Sequence, residues 1–252
     1  MMKIIKERFN RYGEQDYDKE YMKWGFDELE TQIVMAEKLE RIFPDNSTRI
    51  VDIACGISRY HQVWLKAGYH VTGIDISNTF IEYSKNYNRA FENGHYMVCD
   101  FHELSFDNEF DIAVWTDPVG LTGVSANRIF KALKPNGIFI YEMWNENYYK
   151  YHNDERHNDC RTWTVQDGVY RLVRHEYNKA TCVSEHEEII FDVPNDTMIH
   201  KVGLNARNIN SYNHIQIMEA AGFKNVRFVD YEGQPFSTEN QQIKQFFMIG
   251  EK

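Results

Sequence analysis

Short apolar runs alternate with helix-like apolar spacing along the middle of the chain. The runs predict strands, and the stretches between them, in which apolar residues recur every three or four positions, predict helices. The predicted strands are 49–54, 69–74, 96–99, 110–115 and 137–143, and the predicted helices are 60–67, 77–87 and 125–133. Strands separated by helices imply right-handed crossovers, so we expect a mostly parallel, doubly wound sheet with helices on both faces.

The pattern changes on both sides of this segment. Before it, two helical stretches open the chain, and the second runs from Phe26 to Phe43, where Pro44 stops it. After Tyr149, β-rich runs are separated by turn residues such as Asp167-Gly168, a strong hairpin signal. The β-rich runs at 161–166, 169–177, 181–191 and 197–204 predict an antiparallel β insertion over 150–208. A helix at 212–221 and strands at 226–231 and 246–249 are predicted after it.

Composition and charge narrow the class of protein. Of the 252 residues, 42% are hydrophobic, which supplies enough apolar surface for a core. The formal net charge of −10 argues against a broad nucleic-acid-binding face, because such faces need clustered Lys and Arg. No apolar run approaches the roughly 18 residues of a membrane span, and no secretory signal is visible. The four cysteines lie far apart, so we expect a cytoplasmic protein with reduced thiols and without nucleic-acid or membrane partners.

The turn after the first predicted strand carries the clearest candidate chemistry. It reads Asp52-Ile53-Ala54-Cys55-Gly56-Ile57-Ser58, and its small residues let backbone N–H groups approach a ligand at a helix N-terminus. Asp75 ends the second predicted strand 23 residues after Asp52, and Asp100 ends the third after 25 more. A carboxylate at the second strand end can accept hydrogen bonds from both ribose hydroxyls of a nucleoside. The alternative is that Asp52 and Asp75 cap the helices that follow them.

This arrangement resembles the class I S-adenosylmethionine-dependent methyltransferases of the small-molecule type. In that family an acidic residue precedes a G-x-G-x-G turn, an acid after the second strand holds the ribose, and an acid with an apolar neighbour after the third strand recognises adenine. Ala54 and Ser58 replace the first and third glycines here, and the G-x-G-x-x-G fingerprint of nicotinamide enzymes is missing. The resemblance covers about 45–149 and 210–252.

The resemblance implies a fold, a cofactor and a set of contacts. The fold is a seven-stranded, mostly parallel α/β sheet with a C-terminal antiparallel hairpin, and the cofactor is S-adenosylmethionine. The expected domains are a helical lid segment (1–44), a Rossmann-like cofactor-binding core (45–149), the β insertion on the acceptor side (150–208) and the C-terminal part of the core (209–252). The residues expected at the cofactor are Tyr17, Tyr21, Asp52, Ala54, Gly56, Asp75, Ile76, Asp100, Phe101 and Trp115. Tyr17 and Tyr21 would close over it as part of the lid, although such rings could equally pack a helix onto the sheet.

Two acidic residues are candidates for the methyl-transfer chemistry. Asp117 follows the fourth predicted strand, at the edge where open α/β proteins bind ligands, and Glu142 lies near the end of the fifth. Either could orient an acceptor or remove its proton. We therefore expect in-line methyl transfer to a nitrogen or oxygen of a small-molecule acceptor, without a metal, and a homodimer is left open. Two rivals remain, a non-catalytic S-adenosylmethionine-binding protein and a methyltransferase that acts on nucleic acid or protein.

Overall fold

The computed structural model describes residues 29–252 except 59, 117–119, 153–159, 167–168, 179, 181–182, 194–196 and 209. The chain divides into two compact units. The first unit holds the residues up to Met143 together with Tyr212–Ser237 and Gln245–Lys252, and the second holds Trp144–Ser211 and Thr238–Lys244. Tyr17, Tyr21 and most of the expected lid segment lie outside the described residues, as does Asp117, so what we expect of them stays a prediction.

Strands make up much of the described chain. In chain order they are β1 (Arg49–Ile53), β2 (His70–Asp75), β3 (Gly94–Val98), β4 (Phe110–Trp115), β5 (Leu133–Trp144), β6 (Cys160–Gln166), β7 (Val169–Asn178), β8 (Val183–Asp192), β9 (Thr197–Asn208), β10 (Lys224–Val229) and β11 (Gln245–Glu251). The first unit contains a seven-stranded sheet in the order β10-β11-β5-β4-β1-β2-β3. Pairing is parallel from β5 through β4, β1 and β2 to β3, whereas β10 and β11 are antiparallel. The predicted α/β fold, with its mostly parallel sheet and C-terminal hairpin, is confirmed.

Six α-helices are described, and the third and fourth begin at residues with clear capping roles. They are α1 (Leu29–Glu40), α2 (His61–Ala67), α3 (Asn78–Tyr87), α4 (Gly123–Ala132), α5 (Glu146–His152) and α6 (Ser211–Ala221), with a short 3-10 helix at Phe101–Glu103. The side chain of Ser77 accepts a hydrogen bond from the backbone of Phe80, as the sequence predicts for an N-cap. Thr122 and Ser125 form a capping box, so α4 begins before the predicted Ser125. No helix in this described part is both long and apolar enough to cross a membrane.

Alternate residues of the central strands face opposite sides of the seven-stranded sheet. On β4, Ala113 and Trp115 pack in one hydrophobic core with residues of α4 and α6, whereas Ile112 and Val114 pack in a second core with residues of α1 and α2. On β1, Ile50 belongs to the second core. The side chain two residues further along the strand, which is Asp52, therefore points towards α2 as well.

The second unit contains an antiparallel sheet of four strands in the order β6-β7-β8-β9. The predicted β-rich runs correspond to these strands, and β9 extends further than predicted, to Asn208. In the same unit, Asn145 is fully buried and its side-chain nitrogen donates to the backbone oxygens of Asn240 and Ile243 at 2.7 and 2.9 Å. This side chain therefore fixes the segment 238–244, while the expected role of the β insertion in binding an acceptor stays a prediction.

Candidate cofactor site

The turn between β1 and α2 has an unusual backbone. The φ angle is positive at every second residue, with 54° at Ala54, 54° at Gly56 and 50° at Ser58. Glycine adopts this left-handed conformation readily, whereas residues with a Cβ do so at a cost of roughly 1–2 kcal/mol. The turn thus keeps at all three positions the conformation that the family's glycines would favour. A Cβ at Gly56 would meet no atom within 4 Å, so the turn borders open space there.

Two buried polar side chains, one in α3 and one at its C-cap, hold the carbonyl groups of this turn. The hydroxyl of Ser84 donates to the backbone oxygen of Gly56 at 3.2 Å, and the side-chain nitrogen of Asn88 donates to the backbone oxygen of Ser58 at 3.2 Å. Sequence reasoning missed both residues. The available signal was their spacing of four residues, which places two polar side chains on one face of α3, the face that packs against the turn.

Asp75, at the end of β2, joins the turn to the neighbouring strand. One carboxylate oxygen accepts a hydrogen bond from the backbone N–H of Gly56 at 2.9 Å, and the other accepts from the N–H of Ser77 at 2.9 Å. The side chain does not cap α3, because Ser77 does. A carboxylate oxygen has two lone pairs, so each oxygen keeps acceptor capacity for a ligand. Burial raises the pKa of Asp75 to about 6, despite the lowering effect of the N–H groups of Ser77 and Gly56.

Asp52 lies within a buried polar network on the α2 side of the sheet. One of its oxygens accepts hydrogen bonds from the hydroxyl of Tyr60 at 2.6 Å and from Nε2 of His61 at 2.7 Å. The other oxygen, Oδ1, is buried and has no hydrogen-bond partner among the described residues. Asp52 does not cap α2, whose N-cap is Tyr60 without a side-chain cap. A buried carboxylate oxygen without a donor is costly unless a bound group supplies one.

His61 extends the Asp52 network to the edge of the sheet. Its second ring nitrogen lies 3.2 Å from the hydroxyl of Tyr96 on β3, and its ring stacks against the rings of Trp64 and Tyr96. Sequence reasoning missed Tyr60 and His61, since polar residues at the start of a helix usually face solvent. Their contacts with β1 are tertiary and leave no local signal in the sequence.

The residues expected at the adenine lie after β3 and at the end of β4. Asp100 caps the 3-10 helix, since one of its oxygens accepts from the backbone N–H of His102 at 2.9 Å. The same oxygen lies 3.0 Å from Nδ1 of His102. The capping interpretation, which we considered for Asp52 and Asp75, therefore applies to Asp100. The rings of Phe101 and Trp115 are 4.7 Å apart, so the structure brings these two predicted residues together.

Trp115 and Ile76 differ in how far they are enclosed. Trp115 is fully buried, and its indole N–H has no hydrogen-bond partner within the described ranges. Ile76, between Asp75 and Ser77, is half-buried and remains accessible to a ligand. Neither position is tested as a cofactor contact, so both stay predictions.

Glu142, the second candidate for the chemistry, lies on β5 and is almost completely buried. One of its carboxylate oxygens accepts a hydrogen bond from the hydroxyl of Tyr231, and the side-chain nitrogen of Gln245 donates to the same oxygen at 3.4 Å. Tyr231 and Gln245 follow β10 and begin β11. The geometry therefore gives Glu142 a contact with the C-terminal hairpin, and its role in proton transfer stays a prediction.

The residues present fit an adenosyl cofactor that carries positive charge. The open space beside Gly56 leaves room for a ligand to approach the backbone. Asp75 retains acceptor capacity for hydroxyl groups at the next strand end, and the unpartnered Asp52 oxygen is negative and needs a donor. Anionic groups at two neighbouring strand ends suit a cationic nucleoside better than a phosphate-bearing one.

Comparison with known proteins agrees with this geometry. Residues 44–193 match the family described as "Methyltransferase domain". The chain belongs to this methyltransferase family. The chain is 31% identical over 140 residues to sterol 24-C-methyltransferase ERG6A of Gibberella zeae, and the match covers 50% of this chain and 35% of that protein. It spans less than half the length of the first curated relatives that it matches.

Solved structures share the fold of this chain over nearly its whole length. An S-adenosylmethionine-dependent methyltransferase from Clostridium acetobutylicum superposes with a TM-score of 0.70 and 13% identity, covering 92% of this chain and 98% of that one. CalS10, an amino pentose methyltransferase from Micromonospora echinaspora, superposes with a TM-score of 0.62 and 15% identity, covering 94% and 96%. At these identities the similarity establishes the fold alone.

Proposed function

We propose that this chain is an S-adenosylmethionine-dependent methyltransferase that methylates a nitrogen or oxygen of a small-molecule acceptor. The observation that carries the proposal is the link between the left-handed turn and Asp75. The N–H of Gly56 donates to the Asp75 carboxylate at 2.9 Å, so this carboxylate lies beside the open face of the turn, which supports our proposal that it binds the ribose. Membership of the methyltransferase family supports the same activity.

Each residue of the site has a distinct task under this proposal. Asp75 accepts hydrogen bonds from the ribose hydroxyls, Phe101 lies against the adenine, and the buried carboxylate of Asp52 balances positive charge on the methionyl side. When bound, S-adenosylmethionine supplies a methyl group on a positively charged sulfur, which departs as a neutral thioether during in-line attack. The protein's main contribution is alignment, because fixing the reacting atoms in line can lower the barrier by several kcal/mol.

The acceptor is proposed to be a small molecule on grounds of charge and similarity. With a net charge of −10, the chain lacks the excess of Lys and Arg that phosphate backbones require. One relative is named for a sterol and one structural neighbour for an amino pentose, which are both small molecules. These two names differ in the kind of compound methylated, so the acceptor has to be found by experiment.

Calorimetry followed by an acceptor screen tests the proposal. We expect S-adenosylmethionine and S-adenosylhomocysteine to bind the protein with one site per chain. Transfer of a labelled methyl group to a component of a metabolite mixture would establish turnover. Asp111→Asn is a suitable control for lost stability alone, because Asp111 lies near the start of β4, at the opposite end of the sheet from the site. Binding without turnover for any acceptor would favour the non-catalytic rival, and salt-sensitive DNA or RNA binding would favour the nucleic-acid rival.

A further inference from the structure

A chain of hydroxyl groups connects the first turn to the residue that follows β4. The hydroxyl oxygen of Tyr60 lies 2.6 Å from Oδ2 of Asp52 and 3.4 Å from Oγ1 of Thr116. Tyr60 is buried, Asp52 is completely buried and Thr116 is half-buried. The three side chains come from β1, the start of α2 and the end of β4. They therefore join the two strand ends that lie next to each other in the sheet.

The direction of these hydrogen bonds follows from the chemistry of the three groups. A carboxylate can only accept, and Tyr60 has a single hydroxyl hydrogen, so this hydrogen points to Asp52. Burial, followed by the nearby Asp52 charge, raises the pKa of Tyr60 well above its usual value, so the hydroxyl retains its hydrogen. The contact between Tyr60 and Thr116 then requires Thr116 to be the donor.

The hydroxyl hydrogen of Thr116 therefore has a fixed orientation. It is directed to Tyr60, so the lone pairs of Oγ1 are left as an acceptor at the carboxyl end of β4. The chain of donors ends on a negative group, which makes this end of the strand a favourable place for a positively charged donor. The same carboxylate supports this polarity, because Asp52 Oδ1 is buried and has no donor among the described residues, which leaves the negative charge at the end of the chain incompletely balanced.

We propose that Thr116 Oγ1 binds the α-ammonium group of the cofactor and that Tyr60 is a positioning residue that holds the Thr116 hydroxyl in the accepting direction. This inference rests on the proposed function, because it assumes S-adenosylmethionine as the ligand. It assigns roles to two residues that sequence patterns did not single out. It also gives a reason for a buried tyrosine at the start of α2, where a small polar residue would ordinarily suffice.

Binding measurements on Thr116→Val, Thr116→Ser and Tyr60→Phe test the proposal. The probes are S-adenosylhomocysteine and its analogue without the α-amino group, measured by calorimetry, and thermal unfolding without ligand reports the folding of each variant. Thr116→Val should weaken S-adenosylhomocysteine binding about tenfold and leave the analogue unchanged, because only the former has the ammonium donor. Thr116→Ser keeps the hydroxyl and should bind both like the wild type.

The Tyr60 variant tests the relay itself. Tyr60→Phe should weaken S-adenosylhomocysteine binding several-fold, and the double variant should bind no more weakly than Thr116→Val alone, because both changes break one chain. Tyr60→Phe should also lower the Tm, since Asp52 loses one donor. If this variant does not fold, the Val and Ser variants decide the matter.

Two outcomes overturn the inference. Unchanged affinity of Thr116→Val for S-adenosylhomocysteine would remove Thr116 from the site, and an equal loss for both probes would show that the ammonium is not its partner. If the wild type binds neither probe, the proposed function itself fails. If the wild type binds S-adenosylhomocysteine and Thr116→Val binds it equally well, this inference alone is refuted.

Discussion

Replacing Asp75 with asparagine removes the charge at the end of β2 while keeping nearly the same side-chain volume. The remaining amide oxygen can still accept from one of the two backbone N–H groups, so we expect the fold to persist. Alanine is a poorer choice, because it would leave the N–H groups of both Gly56 and Ser77 without their partner. Hydrogen bonds to a charged group contribute about 1.5–3 kcal/mol, so Asp75→Asn should weaken S-adenosylhomocysteine binding about ten- to a hundredfold.

The pH dependence of binding gives the sharper test. The carboxylate must be ionised to accept hydrogen bonds from two ribose hydroxyls, and its pKa in the ligand-free protein is about 6. Affinity should therefore be nearly constant above pH 7 and about tenfold weaker at pH 5. Calorimetry between pH 5 and pH 7 measures this slope for the wild type and for Asp75→Asn. Because the two proteins differ only at residue 75, contributions from all other groups cancel in the comparison.

The same pKa has a consequence for stability with a defined sign. The folded pKa of Asp75 lies above the unfolded value of about 3.9, so the folded state binds the proton more tightly. The contribution of Asp75 to stability is therefore fully present below pH ~4 and is lost as the pH rises to about 6, by roughly 3 kcal/mol. Asp75→Asn should remove this loss of stability.

In the binding measurements described above, an equal pH slope in the wild type and in Asp75→Asn would refute the assignment of Asp75 to the ribose.

Three further changes have clear expected outcomes. Asp111→Ala should lower the free energy of unfolding by about 1–2 kcal/mol, because the backbone N–H groups of Thr48 and Arg49 lose their acceptor. Burial alone would raise the pKa of Asp111, but these donors and Lys134 lower it below its usual value. The contribution of Asp111 to folding stability should therefore be present above pH ~4 and disappear below that pH in acid titrations. Ala54→Gly should raise the free energy of unfolding by about 0.5 kcal/mol, because the relief of left-handed strain exceeds the entropy that glycine adds to the unfolded chain. Calorimetric melting measures this change, and a lower Tm would contradict it. Glu142→Gln and Tyr231→Phe should each lower the Tm, because the first replaces a charged acceptor with a weaker amide oxygen and the second removes the donor. The double variant should add little beyond Tyr231→Phe, and additive losses would show that the contact is not shared.

Much of the fold follows from local sequence patterns. The apolar run 110–115 predicts β4 with the bounds that the structure shows, because both the pattern and the length of the run are those of a buried strand. The run at 137–143 gives only part of β5, which begins at Leu133. Pro135-Asn136-Gly137 looks like a turn, yet Asn136 and Gly137 pair with the backbone of Lys252 at the chain's end. A pairing partner more than a hundred residues away leaves no trace in the local pattern.

The residues of the candidate site also differ in whether local sequence patterns reveal them. Asp75 could be found from the sequence because strand ends recur at regular spacing, and its contact with Gly56 follows from neighbouring parallel strands. Tyr60 and His61 could not, because their significance depends on which face of β1 carries Asp52. The contact between Glu142 and Tyr231 likewise joins residues 89 positions apart.

The replacement of two glycines in the first turn has a consequence for recognition. Alanine and serine have fewer accessible backbone states than glycine, so a turn built with them loses less conformational entropy when a ligand holds it still. Ala54 and Ser58 already have left-handed geometry in the free protein. The stored strain thus serves as preorganisation, and the cofactor should bind with a smaller entropic penalty than it would at a turn with three glycines.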